Sequence, residues 1–465
     1  MQNYLIKNIS VVNEGKIITA DILIRNTRIE KIASNIQPDI LVKEINGEGK
    51  HLLPGVIDDQ VHFREPGLTH KATIYSESRA AVAGGVTSFM EMPNTLPPAF
   101  TQELLEQKYE IGARSSLANY SFYMGVSNEN AEEVLKTNHK KKEVCGIKIF
   151  MGSSTGNLLV DNYLTLDKLF RETELLIATH CEDEKIIKQN LEKIRLEKRV
   201  LRAADHPIIR DEAACFESSL KAIQFAKKYG SRLHIFHLST EKEMQLFTNL
   251  IPLEEKRITA EVCVHHLHFS SDDYGQLGNQ IKCNPAIKSP ANREALWKAL
   301  LDDRLDIIAT DHAPHTLQEK GFQRNGDGIL VPLSQETEEG SYEKAHAGLP
   351  LVQYSLLMML HYVKTGKISL EKLVEKMSHS VATCFALENR GFIREGYFAD
   401  LLIADLNQST AVSQKNILYK CGWSPLENSS FPAAITHTFV NGHLVYGNGA
   451  FDESQWGQRL LFNRS

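Results

Sequence analysis

The chain has 465 residues, a formal net charge of −6, and acidic and basic side chains interspersed along its length. Such a length fits one large domain with a smaller companion, because α/β barrels commonly exceed the ~100–200 residues of an average domain. The small, mixed charge gives no long-range field for nucleic acid or for an acidic membrane surface, so we expect a small-molecule substrate.

The N-terminal segment MQNYLIKNISVVNEG has no basic stretch followed by an apolar core, and no run of about 18 apolar residues occurs in the sequence. We therefore expect a cytoplasmic protein without a membrane segment. The seven cysteines form no CxxC pair, which indicates neither a thiolate zinc site nor a disulfide framework. Their expected role is that of small buried side chains.

Both ends of the chain have the alternating apolar pattern and the turn residues of short β-strands. Residues 1–52 contain YLIKNISVVN, KIITADILIRNTRIEKIA and ILVKEINGEGKHL, and residues 393–450 contain GYFADLLIADL and THTFVNGHLVYGNGA. The simplest interpretation is one small β-sandwich domain assembled from both ends. Residues 451–465 would follow it as a C-terminal tail.

Residues 53–392 consist of apolar runs that alternate with helical stretches. Eight runs have the character of strands: GVIDDQVHF, VTSFMEMP, NYSFYMGV, GIKIFM, LLIATH, RLHIFHL, ITAEVCV and DIIATDH. Strands that alternate with helices predict a parallel sheet, and eight of them predict an α/β fold of the (β/α)8 TIM-barrel type. An open doubly wound sheet is the alternative, but no glycine-rich phosphate loop supports it.

Polar side chains stand at or just beyond the ends of several of these runs: His62, Asn94, Lys148, His180, His237 and Asp311. Catalytic groups of such barrels lie at the carboxyl ends of the strands, so these residues are predicted to share one pocket. The imidazoles and the carboxylate among them are side chains that hold a divalent metal. A bound metal suits the hydrolysis of an amide, because it lowers the pKa of its water to about 7.

Lys148 allows two interpretations. A lysine at a strand end is ordinarily a solvated or ion-paired residue, and its ammonium form cannot bind a metal. If its free amine reacts with carbon dioxide, however, it becomes an anionic carbamate that can bridge two metal ions. The sequence leaves this choice open.

Seven motifs occur in one order along the chain: DDQVHFREPG, MEMPNTLPP, GIKIFM, THCEDE, HIFHLST, KCNPAIKS and IATDHAPH. Together they resemble the cyclic amidohydrolases of the amidohydrolase superfamily, and among these they are most similar to the dihydroorotases of the longer, bacterial type. The resemblance covers nearly the whole chain. It implies a zinc-dependent hydrolase of cyclic amide C–N bonds that interconverts (S)-dihydroorotate and N-carbamoyl-L-aspartate in de novo pyrimidine biosynthesis.

The resemblance also implies roles for individual residues. His62 would be a metal ligand from the first strand, a carbamylated Lys148 (N6-carboxylysine) would be the bridge, and His180 and His237 would hold the second metal position. Asp311 would be a ligand and the proton shuttle, acting as general base in hydrolysis and as general acid in the reverse direction. One or two zinc ions per chain are expected.

The expected substrate follows from Arg64 and its neighbours in the pattern. A guanidinium can bind the carboxylate of dihydroorotate through two hydrogen bonds, whereas a hydantoin or an unsubstituted dihydropyrimidine offers no such group. Arg64 and Asn94 match the dihydroorotase pattern better than that of allantoinases or dihydropyrimidinases. Asn284 and His315 match further substrate-contacting positions. The alternative for Arg64 is a surface ion pair with Glu65.

The chain departs from the family pattern at Gln60, where the first histidine ligand belongs. Gln60 and His62 share a face of the strand, so Gln60 would point toward the metal with a weaker, neutral donor. Three outcomes follow: two metal ions with one held loosely, a single ion at Lys148, His180 and His237, or a catalytically silent relative. We expect an active enzyme with one tightly bound zinc.

Other functions stay open beside this one. The chain could act on another cyclic amide, as hydantoinases, allantoinases and dihydropyrimidinases do, or it could be a non-catalytic assembly partner, which Gln60 favours. No sequence feature determines the oligomeric state, and a homodimer is kept as a hypothesis.

Three further features have structural interpretations. The cluster VCVHHLHFS is expected to continue a strand, with His266 and His268 on one face and His265 on the other, and is not expected to bind metal. Gly84 and Gly85 are predicted to end a helix. Residues 315–349 form a polar segment longer than the ~12–15 residues of an ordinary connection, so a lid over the substrate is predicted, with a solvated insertion as the alternative.

Overall fold

The computed structural model describes residues 2–152, 158–334 and 340–464. The chain opens with five strands: β1 Tyr4–Asn13, β2 Lys16–Arg25, β3 Arg28–Ala33, β4 Lys43–Asn46 and β5 His51–Pro54. The turn between β1 and β2 consists of Glu14 and Gly15, both with positive φ. Two such residues match the twist of a hairpin, so a glycine suits this position. The predicted β-structure of this end is confirmed.

The barrel strands come next: β6 Val56–Val61, β7 Val86–Glu91, β8 Asn119–Phe122, β9 Met124–Gly125, β10 Ile147–Phe150, β11 Ile177–His180, β12 Leu233–Ile235, β13 Ile258–Cys263 and β14 Ile307–Ala309. Each predicted run contains a strand, and β8 and β9 lie on one extended segment. The paired neighbours are all parallel. A parallel bridge between Val61 and His312, just past β14, joins the two ends of the series. The predicted (β/α)8 barrel is therefore confirmed.

Helices connect and cover these strands: α1 Ile74–Ala83, α2 Gln102–Ser115, α3 Ala131–Leu135, α4 Tyr163–Glu172, α5 Glu184–Arg195, α6 His206–Ile209, α7 Glu212–Tyr229, α8 Val264–His268, α9 Tyr274–Leu277, α10 Pro290–Leu301, α11 Ser355–Lys364, α12 Leu370–Val374 and α13 Ser380–Phe385. Thr73 and Asp211 cap the starts of α1 and α7, because their side-chain oxygens accept backbone N–H groups of the first turn. Gly84 caps the end of α1 and Gly85 has a φ of 85°, as predicted.

The histidine-rich segment after β13 differs from its prediction. His265, His266 and His268 lie on the short helix α8, so the prediction of a continuing strand is wrong. The β13–β14 ladder ends where Cys263 pairs with Ala309. Beyond that pair the backbone has no strand to bond with, and a helical turn satisfies its polar groups instead.

The remaining strands are β15 Phe322–Arg324, β16 Leu330–Pro332, β17 Leu401–Asp405, β18 Thr410–Ala411, β19 Ser430–Phe431, β20 Ala434–Val440, β21 His443–Gly447 and β22 Ala450–Phe451. Strands from both chain ends share one continuous sheet of nine strands, in the order β22-β21-β20-β17-β5-β1-β2-β3 with β4 beside β1. The two ends of the chain thus build one β domain, as the sequence predicts. Its limits at residues 52 and 393 stay a prediction.

Strand β17 shows how the small domain is attached to the barrel. Leu401 and Ile403 belong to the core of the small domain, whereas Leu402 and Ala404 belong to the large core that continues into the barrel. Because successive side chains of a strand point to opposite faces, one apolar run serves both cores.

The long segment 315–349 contains the hairpin β15–β16. Its residues 335–339 lie outside the described ranges, and its role as a lid stays a prediction. All seven cysteines are free thiols, and six of them are buried, as expected. Within the described ranges, no helix has the length and apolar character needed to cross a bilayer.

A buried ion pair supports the chain just beyond β6. Lys108 and Glu91, each 1% exposed, form this pair, and the Lys108 Nζ also donates to the carbonyl oxygen of Met92 at 2.7 Å. The free Glu91 oxygen accepts the backbone N–H of Phe63 at 3.1 Å. The pair therefore holds the backbone between His62 and Arg64.

We predict that Lys108→Met lowers the free energy of unfolding by about 3–5 kcal/mol, because it leaves the Glu91 carboxylate buried without a counter-charge. Urea denaturation measures this change. The double variant Glu91→Gln/Lys108→Met should recover part of the loss. Lys136→Met, which removes an exposed ion pair with Glu133, is the control and should cost less than about 1 kcal/mol. A loss at Lys108 no larger than this control would contradict the prediction.

Candidate active site

A cavity of about 650 Å³ opens at the carboxyl ends of the barrel strands. It is lined by every residue that the sequence predicted for the site: Gln60, His62, Arg64, Asn94, Lys148, His180, His237, Asn284, Asp311 and His315. The barrel brings them together because parallel strands end on the same rim. Their individual roles stay predictions.

Three of these residues have an unusual backbone conformation. Arg64, His237 and Asp311 have φ values of 67°, 40° and 48°, in the left-handed region that non-glycine residues rarely occupy. Such a conformation costs about 1–3 kcal/mol and is typical of functional sites, where it aims a side chain that a regular strand would point elsewhere.

The first group of side chains in the cavity centres on Asp311. The His62 Nε2 lies 3.1 Å from the Asp311 Oδ1, and the His62 Nδ1 lies 2.8 Å from the Asn94 Oδ1. Because the amide oxygen of Asn94 can only accept, the Nδ1 carries a proton. The Nε2 faces the Asp311 carboxylate: it donates to it when the ring is protonated and offers a lone pair when the ring is neutral. Burial lowers the pKa of His62 and favours this neutral ring. His62 can thus act as a metal ligand through Nε2.

Gln60 belongs to the same group. Its side-chain nitrogen donates to the Asp311 Oδ1 at 3.2 Å, and its oxygen accepts a weak hydrogen bond from the Cys263 thiol at 3.6 Å. The opposite orientation would place the amide oxygen against the carboxylate, two acceptors together. Gln60 therefore presents a donor, and not its oxygen, to Asp311.

The second group consists of Lys148, His180 and His237. The His180 Nδ1 lies 3.0 Å from the His237 Nε2. The Lys148 Nζ is buried without a hydrogen-bond partner, above the ring of Phe236 at 4.0 Å from its centroid. Burial lowers the pKa of Lys148 to about 7. Converging imidazole nitrogens beside an unpartnered buried amine fit a divalent metal better than they fit a closed hydrogen-bond network.

Arg64 supplies the positive charge at one end of the cavity, beside His315, whose pKa burial and the neighbouring Arg64 lower well below its usual value. The Arg64 Nε donates to the carbonyl oxygen of Pro314 at 3.1 Å, and its guanidinium lies 3.1 Å from the His315 Nε2. Lys71 flanks the other ring nitrogen at 3.1 Å. The alternative pairing of Arg64 with Glu65 is not formed, since Arg64 is buried and the Glu65 carboxylate accepts the N–H of Ile74. This end of the cavity suits an anion.

Sequence reasoning missed several side chains that support the site. One of them is Lys71. Two others, Glu182 and Arg210, form a buried ion pair beside His180, and the His180 Nε2 lies 3.1 Å from the Glu182 Oε2. Glu182 stands two residues after His180 in THCEDE, and this spacing was a usable signal. Arg210 lies between α6 and α7, where no pattern marked it.

The histidines of α8 stay outside this arrangement. The His266 Nε2 bonds to the carbonyl oxygen of Pro285, in the loop that follows, at 3.1 Å. Donor atoms of Cys263, His265 and His266 lie within 4.8 Å of one another, so this group could also hold a metal ion.

Comparison with known proteins identifies the family of the chain and several relatives that match nearly its whole length. Residues 51–445 match the model of the amidohydrolase family. A dihydroorotase of Halobacterium salinarum is 30% identical over 450 residues, covering 95% of this chain and 97% of that protein. A dihydroorotase of Methanosphaera stadtmanae is 28% identical over 454 residues, with 96% of both chains covered.

Two solved structures with the same fold belong to proteins named hydantoinase or dihydropyrimidinase, and not dihydroorotase. The L-hydantoinase (dihydropyrimidinase) from Arthrobacter aurescens superimposes with a TM-score of 0.89 at 25% identity, covering 99% of this chain and 100% of that one. A dihydropyrimidinase from Brevibacillus agri has a TM-score of 0.84 at 22% identity, covering 97% and 96% of the two chains. This second likeness shows the fold alone.

Arg210 has a testable electrostatic role. Burial raises the pKa of the Glu182 carboxyl, but Arg210 and His180 outweigh it and hold that pKa at about 2. A carboxyl whose folded pKa lies below its unfolded value adds stability above the unfolded value, and this stability disappears as the pH falls toward the folded pKa. We predict that Arg210→Met lowers the free energy of unfolding of the metal-free protein by about 3 kcal/mol at pH 7.

This loss should shrink between about pH 4.5 and pH 2, where Glu182 becomes protonated, and urea denaturation across that range measures it. Lys188→Met is the matched control, because Lys188 also lines the cavity but has an exposed side chain. A loss that does not change with pH would mean that Arg210 contributes packing and not charge compensation.

Proposed function

Because the chain belongs to the amidohydrolase family, we propose that it is a metal-dependent dihydroorotase that interconverts (S)-dihydroorotate and N-carbamoyl-L-aspartate. One observation supports the choice of substrate. The buried Arg64 guanidinium lies in the same cavity as His180 and His237, which can bind a metal ion. The names of the sequence relatives support the same choice.

The metal of this proposal is one zinc ion held by Lys148, His180 and His237. When bound, such an ion supplies a water of lowered pKa and polarises the amide carbonyl. Among the described residues, the His, Cys, Asp and Glu side chains of the cavity form no group of three whose donor atoms lie within 4.8 Å of one another. Lys148 is the neighbouring side chain that we propose as the third donor beside His180 and His237.

Lys148 can supply that donor as a carbamate. Its Nζ attacks the carbon of carbon dioxide, the new N–C bond forms, and one proton leaves the nitrogen. The side chain is buried and has no hydrogen bond to lose, and its lowered pKa makes the reactive free amine available near neutral pH. The product is an anion. It is stable in this buried position only when a cation binds it, because an unpaired buried polar group is costly.

Asp311 moves the proton in this proposal. It accepts a proton as the ring is opened and returns one as the ring is closed. Its carboxylate is buried and lies between His62 and Gln60. The amide of Gln60 donates to this carboxylate, so we assign Gln60 as a positioning residue for Asp311, in place of the weak metal ligand that its position in the motif first indicated.

Arg64 binds the carboxylate of the substrate. A planar guanidinium can form two parallel hydrogen bonds to a carboxylate, and burial strengthens both. Asn94, Asn284 and His315 line the same cavity and would contact the rest of the ring. The fold match to hydantoinases supports a second candidate, hydrolysis of a cyclic amide without the carboxylate. For that substrate Arg64 would have no partner.

We predict that the wild-type protein turns over dihydroorotate and carbamoyl aspartate, with about one zinc per chain bound in the cavity. Asp311→Asn should lower kcat in both directions by about 10²–10⁴-fold, the range of a lost general acid or base. Elemental analysis is expected to find the zinc retained in this variant. Wild-type protein that is loaded with metal yet silent, together with a gain of activity in Gln60→His, would contradict the proposal and favour a non-catalytic protein.

Substrate choice is tested by Arg64→Met. A lost hydrogen-bonded ion pair is worth about 1.5–3 kcal/mol, so KM for dihydroorotate should rise about 10–100-fold. Lys188→Met removes a different cation from the cavity wall and should leave KM within about twofold, since surface charges contribute little. If dihydrouracil or hydantoin is the better wild-type substrate, or if Arg64→Met leaves KM unchanged, the carboxylate assignment is wrong.

A further inference from the structure

A second cluster of metal-ligating side chains lies inside the barrel, separate from the cavity. It consists of Asp59 on β6, His234 on β12 and Glu261 on β13, all with 0% exposure. Strands β12 and β13 are neighbours, whereas β6 is paired with neither of them. The Asp59 side chain therefore reaches across the interior of the barrel to meet the other two.

The distances within this cluster match a metal site. The His234 Nε2 lies 3.3 Å from the Asp59 Oδ2 and 3.2 Å from the Glu261 Oε2, and one donor atom of each residue lies within 4.8 Å of the others. A tetrahedral zinc site with bonds of about 2.0 Å has ligand-to-ligand edges of about 3.3 Å. Charge-assisted hydrogen bonds would be shorter, at about 2.7–2.9 Å.

The hydrogen bonding of His234 fixes the direction of its ring. Its Nδ1 lies 2.8 Å from the hydroxyl oxygen of Thr259, which also lies 3.2 Å from the Cys384 sulfur and 3.4 Å from the carbonyl oxygen of Leu233. The Nε2 therefore points at the two carboxylates, where either its own proton or a bound cation lies between them. A histidine whose far nitrogen is held by a hydrogen bond is typical of metal ligands.

Asp59 supplies an independent observation. Neither of its carboxylate oxygens has a hydrogen-bond partner, although the residue is fully buried. With one imidazolium beside them, two buried carboxylates are balanced only if one of them keeps a proton, because an uncompensated buried charge costs several kcal/mol. A divalent cation would take the place of that proton and balance both carboxylates. The second Asp59 oxygen could complete its coordination.

The cluster is connected to the cavity but does not open into it. The other Glu261 oxygen, Oε1, accepts the backbone N–H of His237 at 3.2 Å and lies 3.9 Å from the Cys263 sulfur, which in turn contacts Gln60. A rigid cluster at this depth would hold the backbone that carries His237 and support Gln60 through Cys263.

We propose that Asp59, His234 and Glu261 hold a structural divalent cation, zinc by its preference for this ligand set, in the interior of the barrel. The cation enters as the protein folds, because the site has no exposed atom. It does not take part in the reaction, so the proposal is independent of the proposed function. Its removal requires unfolding.

The first test measures zinc in protein that has been dialysed against a strong chelator. The variant His180→Asn/His237→Asn lacks the two imidazoles of the proposed cavity zinc site and should still retain about one zinc per chain. When this zinc-loaded variant is unfolded in urea with a zinc-binding dye present, release of zinc should follow the loss of far-UV circular dichroism. Cobalt-grown protein should likewise keep a visible d–d absorption after chelation.

The second test removes the buried ligands. Asp59→Asn/His234→Gln should lose the chelator-resistant zinc and keep the zinc of the cavity before chelation. If this variant does not fold, the His180→Asn/His237→Asn variant by itself tests the proposal. Absence of chelator-resistant metal from folded His180→Asn/His237→Asn would overturn the proposal. The two carboxylates would then be balanced by a shared proton and not by a cation. Activity is not a readout here, so a failed dihydroorotase assay does not affect the result.

Discussion

The seam between the first and last barrel strands is the constraint on which the site depends. The Asp58 carboxylate joins the two strands, because it accepts the hydroxyl of Thr310 at 2.6 Å and the backbone N–H groups of Thr310 and Gln60, both at 3.3 Å. The His62 N–H then bonds to the carbonyl oxygen of His312 at 2.7 Å. This seam places His62 and Gln60 beside Asp311, and without it the first group of the cavity would not exist.

Acidic and basic groups inside the barrel form two layers. At the rim, Asp311, His62 and Arg64 border the cavity, where solvent and substrate can reach them. Deeper in, Asp59 and Glu261 are closed off completely. A buried carboxylate is stable only when a hydrogen bond or a cation compensates it. The carboxylates of each layer therefore favour ligands and ions that donate a hydrogen bond or carry positive charge.

Overall shape does not determine the substrate. The hydantoinase fold superimposes over nearly the whole chain, yet the names of the sequence relatives point to a different cyclic amide. Folds of this kind carry many activities, and specificity depends on a few side chains at the rim. Under the proposed function, Arg64 is the side chain that would distinguish the two substrates, because only one of them carries a carboxylate for it to bind.

Gln60 shows why a motif and a structure can lead to different assignments. In the motif it stands where a ligand belongs, and a strand pattern places it on the face of His62. Its actual partners, Asp311 and Cys263, are 251 and 203 residues away in the sequence. The orientation of an amide depends on which partner donates and which accepts, and no local pattern contains that information.

The sequence by itself determined the strand positions, the β domain shared by both ends, and the residues that gather at the rim. These features follow from local periodicity and from the rule that parallel strands end together. Only the tertiary structure decided that α8 is helical, that Arg210 compensates Glu182, and that Asp59, His234 and Glu261 meet inside the barrel. Each of these outcomes depends on neighbours that are distant in sequence, and on whether burial leaves a polar group with or without a partner.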